Sequence, residues 1–232
     1  MSIFALGDTH LSLGPDTDKS MDIFPGWTDY VSRIETHWKA LVKPEDTVVI
    51  PGDISWAMSL EQAKSDFEFL HSLPGKKIIL KGNHDYWWNT MTKMNRFLEE
   101  NGFDSIRILH NNAYEVEGVA ICGTRGWFFD DDVDDKDTVI LRECGRLQMS
   151  IDAAKEFNRE IIVFIHYPPL TGDRECTQIM DVLRKNEIKT VYYAHLHGNA
   201  INYAFRGERD GITFNLVSGD SLNFYPYLIK NG

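Results

Sequence analysis

The chain has 232 residues, of which 43% are hydrophobic and 25% are charged, as is ordinary for a soluble globular protein. This length predicts a single domain, residues 1–232, that can bury enough surface to fold without disulfides. The formal net charge of −11 disfavours a nucleic-acid partner, because binding to a phosphate backbone normally relies on Lys and Arg. A small phosphorylated partner stays open.

The three cysteines are far apart and form no CxxC pair, so neither a disulfide framework nor a thiolate metal site is expected. The N-terminus has neither a basic region nor a long apolar stretch, and the densest apolar run, Ile161–Ile165, is too short to span a bilayer. The sequence therefore predicts a cytoplasmic protein without a membrane partner. It leaves the oligomeric state open.

Short strand patterns alternate with helical patterns along the chain, which is typical of an α/β fold. Strands are predicted at residues 2–6, 47–50, 77–80, 106–109, 113–116, 119–122, 160–165, 190–194, 200–205 and 213–217, with a hairpin turn at Glu117-Gly118. Helices are predicted at about 27–42, from Ser59 as N-cap, and at about 88–100, 138–157 and 176–185. The long loop 11–26 is a candidate lid, since long loops in compact domains are often functional.

Polar signatures directly follow five of these predicted strands. In open α/β sheets, ligands bind outside the carboxyl ends of the strands, so we expect these side chains at one common site. The five segments are Asp8-Thr9-His10, Gly52-Asp53, Gly82-Asn83-His84-Asp85, His166 and His195-Leu196-His197.

The residue types in these segments indicate metal binding. Alternate residues of an extended segment share a face, so Asp8 and His10 present two ligands together. Mixed nitrogen and oxygen ligands suit Zn, Mn or Fe better than Mg or Ca. Two such ions can clamp the attacking and leaving oxygens of a phosphoryl displacement and make hydroxide available near neutral pH.

Taken in order, the five segments resemble the motifs of the calcineurin-like metallophosphoesterases, and they span residues 8 to 197. The resemblance implies a four-layer α/β/β/α sandwich of two mixed sheets flanked by helices. It also implies hydrolysis of a phosphomonoester or phosphodiester by a metal-bridging hydroxide, with two divalent transition metal ions as cofactors. The first ion would be held by Asp8, His10, Asp53 and His197, and the second by Asp53, Asn83, His166 and His195. His84 would assist the leaving group, and Asp85 would orient His84 by a hydrogen bond.

The sequence departs from the Ser/Thr protein phosphatases of this family at two motifs. Gly52-Asp53 continues as Ile54-Ser55-Trp56 instead of GDxxDRG, and the third motif ends in Asp85 where those phosphatases carry Glu. Both departures disfavour protein-phosphatase activity. Ala194 stands where many members have Gly, which is expected to change only the backbone freedom of that loop.

Several other residues have both a structural and a functional interpretation. Arg125 and Arg174 lie in Gly-containing loops and could grip a substrate phosphate, although exposed arginine is the default. Trp56 and Tyr167 neighbour motif residues and could contact substrate or pack the fold. The acidic run 130–137 lacks the central Gly and terminal Glu of an EF-hand, so a solvated loop is favoured over a calcium site, with Asp137 as a candidate helix cap.

Two further functions stay open at this point. A nuclease acting on single strands or ends would use the same metals, but the acidic charge counts against it. A catalytically inactive metal-binding scaffold would be expected to have lost ligands, whereas every ligand position is filled here.

Overall fold

The computed structural model describes residues 1–15, 17, 19–127, 136–172 and 174–232. In chain order the strands are β1 (Ile3–Ala5), β2 (Thr47–Pro51), β3 (Lys76–Leu80), β4 (Ile106–Ile108), β5 (Ala113–Val116), β6 (Val119–Thr124), β7 (Glu160–Ile165), β8 (Leu170–Thr171), β9 (Arg174–Glu175), β10 (Thr190–Tyr193), β11 (Gly207–Arg209), β12 (Ile212–Leu216) and β13 (Tyr227–Lys230). The α-helices are α1 (Tyr30–Leu41), α2 (Lys64–Ser72), α3 (Met91–Glu100), α4 (Lys136–Lys155) and α5 (Thr177–Lys185). Short 3₁₀ helices cover Met21–Ile23, Gly198–Tyr203 and Asp220–Leu222.

The strands form two large mixed sheets and one small hairpin, β8–β9. The first sheet has the order β13-β1-β2-β3-β4, in which β1 to β4 are parallel and β13 is antiparallel. The second has the order β11-β12-β10-β7-β6-β5, with four parallel central strands and an antiparallel strand at each edge. The predicted class of two mixed sheets flanked by helices is confirmed.

Three apolar clusters hold the layers together, and alternation along each strand decides which cluster a residue joins. On β2, Val49 faces the cluster between the two sheets, while Val48 and Ile50 face the helices α1 to α3. On the second sheet, Val163 faces α4 and α5 while Phe164 faces the first sheet. Strands buried on both faces explain why these segments read as continuous apolar runs.

Several predicted boundaries shift. The predicted helix from Ser59 begins only at Lys64, because residues 59–63 form a turn in which the Ser59 hydroxyl accepts from the Gln62 N–H at 3.3 Å. The helix predicted from about residue 88 begins at Met91, where Thr90 caps it by accepting from the Lys93 N–H. The hairpin at Glu117-Gly118 is confirmed, with φ of 48° and 74° at the two turn residues.

Two sequence predictions are wrong. The strand predicted at 200–205 is the 3₁₀ helix Gly198–Tyr203, because Gly198 turns the chain with φ +52° and the segment bonds locally. The strand that pairs there is β11, joined to β12 by an Asp210-Gly211 turn. Asp137 does not cap α4, since that helix starts at Lys136 and Asp137 lies within its first turn. The rest of the acidic run, 130–135, lies outside the described residues.

No helix in the described part of the chain combines the length and apolarity needed to cross a membrane.

Candidate metal centre

The carboxyl ends of the two sheets meet at one edge. Gly7, which follows β1, donates its N–H to the Val217 carbonyl after β12 at 2.8 Å, so the two sheets are hydrogen-bonded to each other there. The Asp8 N–H donates to the Gly52 carbonyl at 3.1 Å, and the Ala194 N–H to the His166 carbonyl at 3.1 Å. These bonds bring four of the five polar segments together, and the His84 backbone N–H, which donates to Asp53 Oδ1 at 2.8 Å, adds the fifth.

The seven candidate ligands form two adjoining clusters. Ligand atoms of Asp8, His10 and His197 lie within 4.8 Å of one another, and so do those of Asp53, His166 and His195. Asn83 belongs with the second cluster, because its Oδ1 is 2.7 Å from His166 Nε2 and 3.0 Å from His195 Nδ1.

Asp53 lies between the two clusters. Its Oδ2 is 3.6 Å from His10 Nε2 in one cluster and 3.5 Å from His166 Nε2 in the other. A single carboxylate therefore reaches the ligand atoms of both clusters, as a shared ligand would have to.

The backbone at this edge is strained. Asp8, His10, Asp53 and His195 have φ of 56°, 42°, 49° and 76°, values that non-glycine residues rarely adopt. Such conformations cost on the order of 1–3 kcal/mol each and concentrate at functional sites. Each of them lies in the loop that follows a strand, at the edge where the candidate ligands meet.

Two glycines make room for candidate ligands, Gly52 for His166 and Gly82 for Asp53. Gly52 has φ +92°, and a Cβ there would lie 2.6 Å from His166 Nδ1. A Cβ on Gly82 would lie 2.1 Å from Asp53 Oδ1. Side chains at either position would displace a candidate ligand.

Burial sets the electrostatics of the clusters. It raises the pKa of Asp8 to about 6 and holds the pKa of Asp53 well above its usual value, with Asp85 and Asp8 adding to the second shift and Arg125 opposing it. Burial also lowers the pKa of His195 to about 3 and holds the pKa of His166 well below the ordinary range. These two imidazoles are therefore neutral, which is the form that binds metals.

The orientation of the imidazoles fits bound cations. His166 Nδ1 lies 3.0 Å from the Pro51 carbonyl, which can only accept, so Nδ1 carries the proton and Nε2 presents a lone pair. That lone pair faces Oδ1, the side-chain amide oxygen of Asn83, at 2.7 Å. Both atoms are acceptors, so their contact becomes favourable only if both bind a cation. Asp8 Oδ1 and His10 Nδ1 are buried without a hydrogen-bond partner among the described residues. The donor set and its geometry fit two metal ions.

Asp220 joins this site although sequence reasoning missed it. Its Oδ1 lies 2.9 Å from His197 Nδ1, and its Oδ2 accepts from the Gly198 N–H at 2.9 Å. Burial lowers the pKa of His197, but the carboxylates of Asp8 and Asp220 outweigh it and raise that pKa overall. The sequence signal was a sixth strand end, because Gly219-Asp220 follows β12 as Gly52-Asp53 follows β2.

His84 lies at the edge of the clusters. Its backbone N–H donates to Asp53 Oδ1 at 2.8 Å. The centroid of its imidazole ring is 4.5 Å from that of Trp56 and 5.8 Å from that of His10. The Tyr86 hydroxyl lies 3.4 Å from His84 Nδ1. The ring is therefore held beside the candidate ligands by its backbone and by aromatic neighbours.

Asp85 is buried and ties the second and third motifs together. Burial raises its pKa to about 6, against hydrogen bonds that lower it. Its carboxylate accepts from the N–H groups of Ile54 at 2.8 Å, Ser55 at 3.3 Å, Gly82 at 2.7 Å and from Trp87 Nε1 at 2.9 Å. These bonds fix the loop that carries His84, which is a way of orienting His84 through the backbone.

The four candidate substrate contacts have different surroundings. Trp56 stacks on His10, with centroids 4.9 Å apart and planes 21° apart. Tyr167 is buried, with its ring 4.3 Å from His195. Arg125 is close enough to lower the pKa of Asp53, and its guanidinium lies 3.5 Å from the buried Glu143 and 4.9 Å from the Trp127 ring. Arg174 is exposed on the β8–β9 hairpin.

Comparison with known proteins agrees with this geometry. The sequence matches the model of the calcineurin-like phosphoesterase family over residues 1–199, so the chain belongs to that family. It is a metal-dependent phosphoesterase. Comparison with curated protein sequences gives no match.

Solved structures share the fold at low sequence identity. The phosphopantetheinyl hydrolase of Mycobacterium tuberculosis is 11% identical, with a TM-score of 0.58 over 100% of this chain and 96% of that one. The protein TT1561 of Thermus thermophilus is 12% identical, with a TM-score of 0.56 over 92% and 87%. A protein provisionally assigned as a 5'-nucleotidase from Staphylococcus aureus is 13% identical, with a TM-score of 0.51 over 93% of this chain but 48% of that one.

Proposed function

We propose that this protein hydrolyses a phosphomonoester or phosphodiester bond of a small molecule with two divalent transition metal ions. The observation that carries the proposal is Asp53 Oδ2, which lies 3.6 Å and 3.5 Å from histidine nitrogens of two separate clusters. In this proposal one ion is held by Asp8, His10, Asp53 and His197 and the other by Asp53, Asn83, His166 and His195.

The side chains of the site would have different roles in the reaction. When bound, the two ions would ionise a water molecule to supply the attacking hydroxide and would neutralise charge on the phosphoryl oxygens. His84 would donate a proton to the leaving oxygen, and Asp85 would hold the His84 loop in place. Arg125 is a candidate cation for a phosphoryl oxygen, because it is close enough to Asp53 to lower the pKa of that carboxyl.

The substrate class is supported from two directions. Structural neighbours include proteins whose names refer to phosphopantetheinyl groups and to nucleotides, which are small phosphorylated molecules. The formal charge of −11 counts against a nucleic-acid substrate. Three free cysteines, two of them buried, suit the reducing cytoplasm, where we propose that the protein acts.

A direct assay tests the proposal. Protein loaded with Mn, Zn or Fe should release nitrophenolate from 4-nitrophenyl phosphate, bis(4-nitrophenyl) phosphate or both, and a chelator should abolish the release. Metal analysis should find two ions per chain. Cleavage of single-stranded oligonucleotides in preference to these small esters would favour a nuclease instead, and two bound ions without turnover of any ester would favour a scaffold.

His84→Ala separates chemistry from metal binding. The variant should lower kcat by about 10²- to 10⁴-fold while retaining both ions, because His84 is proposed to transfer a proton and not to ligate. The loss should be greatest for poor leaving groups, such as alkyl esters, and smallest for 4-nitrophenyl esters. Equal losses for both kinds of ester would contradict the leaving-group role.

A further inference from the structure

Two neighbouring cavities open beside the candidate metal centre. One has a volume of about 460 Å³ and is lined by Met21, Ile23, Phe24 and Trp56, with Lys19 and Ser20. The other has a volume of about 360 Å³, and its lining includes Met21, Phe24, Trp27 and His197. Because Met21 and Phe24 line both, we treat them as one feature with two lobes, which we call the aromatic cleft.

The aromatic cleft adjoins the candidate metal centre, and His197 lines its second lobe. Trp56, which lines the first lobe, stacks on His10 at 4.9 Å and lies 4.5 Å from His84. Trp27, which lines the second lobe, lies 5.4 Å from His197. A molecule in either lobe therefore touches the rings that pack directly on the candidate ligands.

The outer wall of the cleft exposes apolar side chains on an ordered segment. Ile23 is 80% exposed and Phe24 is 50% exposed. Their segment is fixed by the Met21–Ile23 3₁₀ helix, with Ser20 accepting from the Asp22 N–H, and by a bond from the Trp27 N–H to the Phe24 carbonyl at 3.1 Å. Exposed apolar groups held in place at the mouth of a cavity are typical of ligand sites.

We propose that the aromatic cleft binds the non-phosphoryl part of the substrate, so that the substrate is a phosphoester bearing an extended apolar group. This inference rests on the proposed function and deepens it. The volume of each lobe falls within the range of small-molecule pockets, roughly 300–1,000 Å³, which favours a substrate group over a protein surface. The apolar lining recognises alkyl or ring carbon, while the metal centre takes the phosphoryl group.

Binding measurements test the cleft without depending on turnover. The Mn-loaded protein is titrated calorimetrically with methyl-, butyl- and octylphosphonate. Each buried methylene should strengthen binding by about two- to fourfold until the cleft is filled, so octylphosphonate should bind at least about tenfold more tightly than methylphosphonate. An octyl-to-methyl affinity ratio near one, or no binding of octylphosphonate, would overturn the inference.

Variants locate the effect. Phe24→Ala and Ile23→Ala should each reduce the octyl-to-methyl ratio several-fold, and both positions are exposed enough for the fold to tolerate the change. The control is Met149→Ala on α4, which removes an apolar side chain that is 56% exposed and should leave the ratio at the wild-type value. The assignment would be refuted if Met149→Ala reduced the octyl-to-methyl affinity ratio as much as the cleft variants do. It would also be refuted if both cleft variants kept the wild-type ratio.

Turnover of two ester series distinguishes this inference from the proposed function. Alkyl phosphates and alkyl 4-nitrophenyl phosphates, from methyl to octyl, are compared by kcat/KM. Hydrolysis that does not depend on chain length refutes the cleft assignment and leaves the proposed function standing, whereas absence of hydrolysis with chain-dependent phosphonate binding refutes the function alone. Cosedimentation with phosphatidylcholine vesicles that Ile23→Ala abolishes, together with a flat phosphonate series, would assign the exposed side chains to a lipid surface instead.

Discussion

At the scale of single residues, the Asp53 carboxylate has several partners at once. Oδ1 accepts the His84 N–H at 2.8 Å, while Oδ2 points between His10 and His166. Burial and the neighbouring carboxylates raise its pKa, so its charged form is disfavoured until positive charge is brought close. Divalent cations would supply that charge, which gives a physical reason for placing a carboxylate here.

Asp53→Asn should abolish metal loading and hydrolysis together. An amide oxygen is neutral and cannot neutralise two cations, although it keeps the size of the side chain. Metal analysis of the purified variant should find little or no bound metal, and activity should fall to background at any Mn concentration tested. A variant that retains both ions would rule out the bridging role.

Asp220→Asn tests the residue that sequence reasoning missed. Loss of the carboxylate beside His197 Nδ1 should weaken metal binding by about 10- to 100-fold, because such partners orient the imidazole and increase its basicity. Activity should recover at high Mn, which a residue that contacts the substrate would not allow. The matched control is Asp181→Asn, an exposed carboxylate on α5 that should leave the metal affinity unchanged.

At the scale of elements, parallel strands explain why ligands far apart in sequence converge. β1, β2 and β3 of one sheet and β7, β10 and β12 of the other all end at the same edge. The bond from Gly7 to Val217 joins the two sheets there. The helices only cover the outer faces, so their exact lengths matter little for the site.

One element carries a buried charge remote from the site. Lys77 on β3 is fully buried under α2, and its ammonium donates to the Leu73 carbonyl at the end of that helix. Burial lowers its pKa from 10.5 to about 8. The folded state therefore loses the proton at lower pH than the unfolded chain.

This shift predicts a pH dependence of stability. Between pH 8 and 10.5 the unfolded chain binds more protons at Lys77 than the folded protein does, so stability rises with pH in that window. The difference in free energy of unfolding between the wild type and Lys77→Met should increase by about 3 kcal/mol in favour of the wild type from pH 8 to pH 10.5. Urea denaturation of both proteins at several pH values measures this difference. A difference that stays constant from pH 7.5 to 10.5 would contradict the prediction.

At the scale of the whole molecule, the candidate metal centre lies where the two sheets meet. Its candidate ligands come from the strand ends of both, so bound ions would cross-link the sheets as well as support catalysis. Removal of metal would leave buried carboxylates and acceptor pairs facing one another. The stability of the protein should therefore depend on metal.

Thermal unfolding measures that dependence. If the chain is a single domain, as we propose, unfolding should occur in one transition, and Mn at about 100 times the Kd of a site should add about 2.7 kcal/mol of stability for each ion bound. For a protein of this size, each such increase corresponds to a rise in Tm of about 5–10 °C. Asp53→Asn should show little or no rise. If the Tm is the same with added Mn and with added chelator, the proposal that ions bind between the two sheets is contradicted.

Motif order and strand ends predicted the family, the two mixed sheets and the residues that the structure brings together. These predictions succeeded because period-two alternation and turn residues are local properties of the sequence, and because parallel strands end at one edge of a sheet. Local patterns failed where tertiary context decides: residues 200–205 look apolar enough for a strand, but Gly198 turns the chain into a 3₁₀ helix instead.

The sequence by itself determined which side chains could bind metal, since residue type and position after a strand are both visible in it. Only the tertiary structure decided the rest: that Asp53 lies between two clusters, that Asp220 contacts His197, and that the aromatic cleft opens beside them. These features depend on how the two sheets pack and on left-handed turns at single residues. Distances between residues more than a hundred positions apart are set by that packing, and no local pattern encodes them.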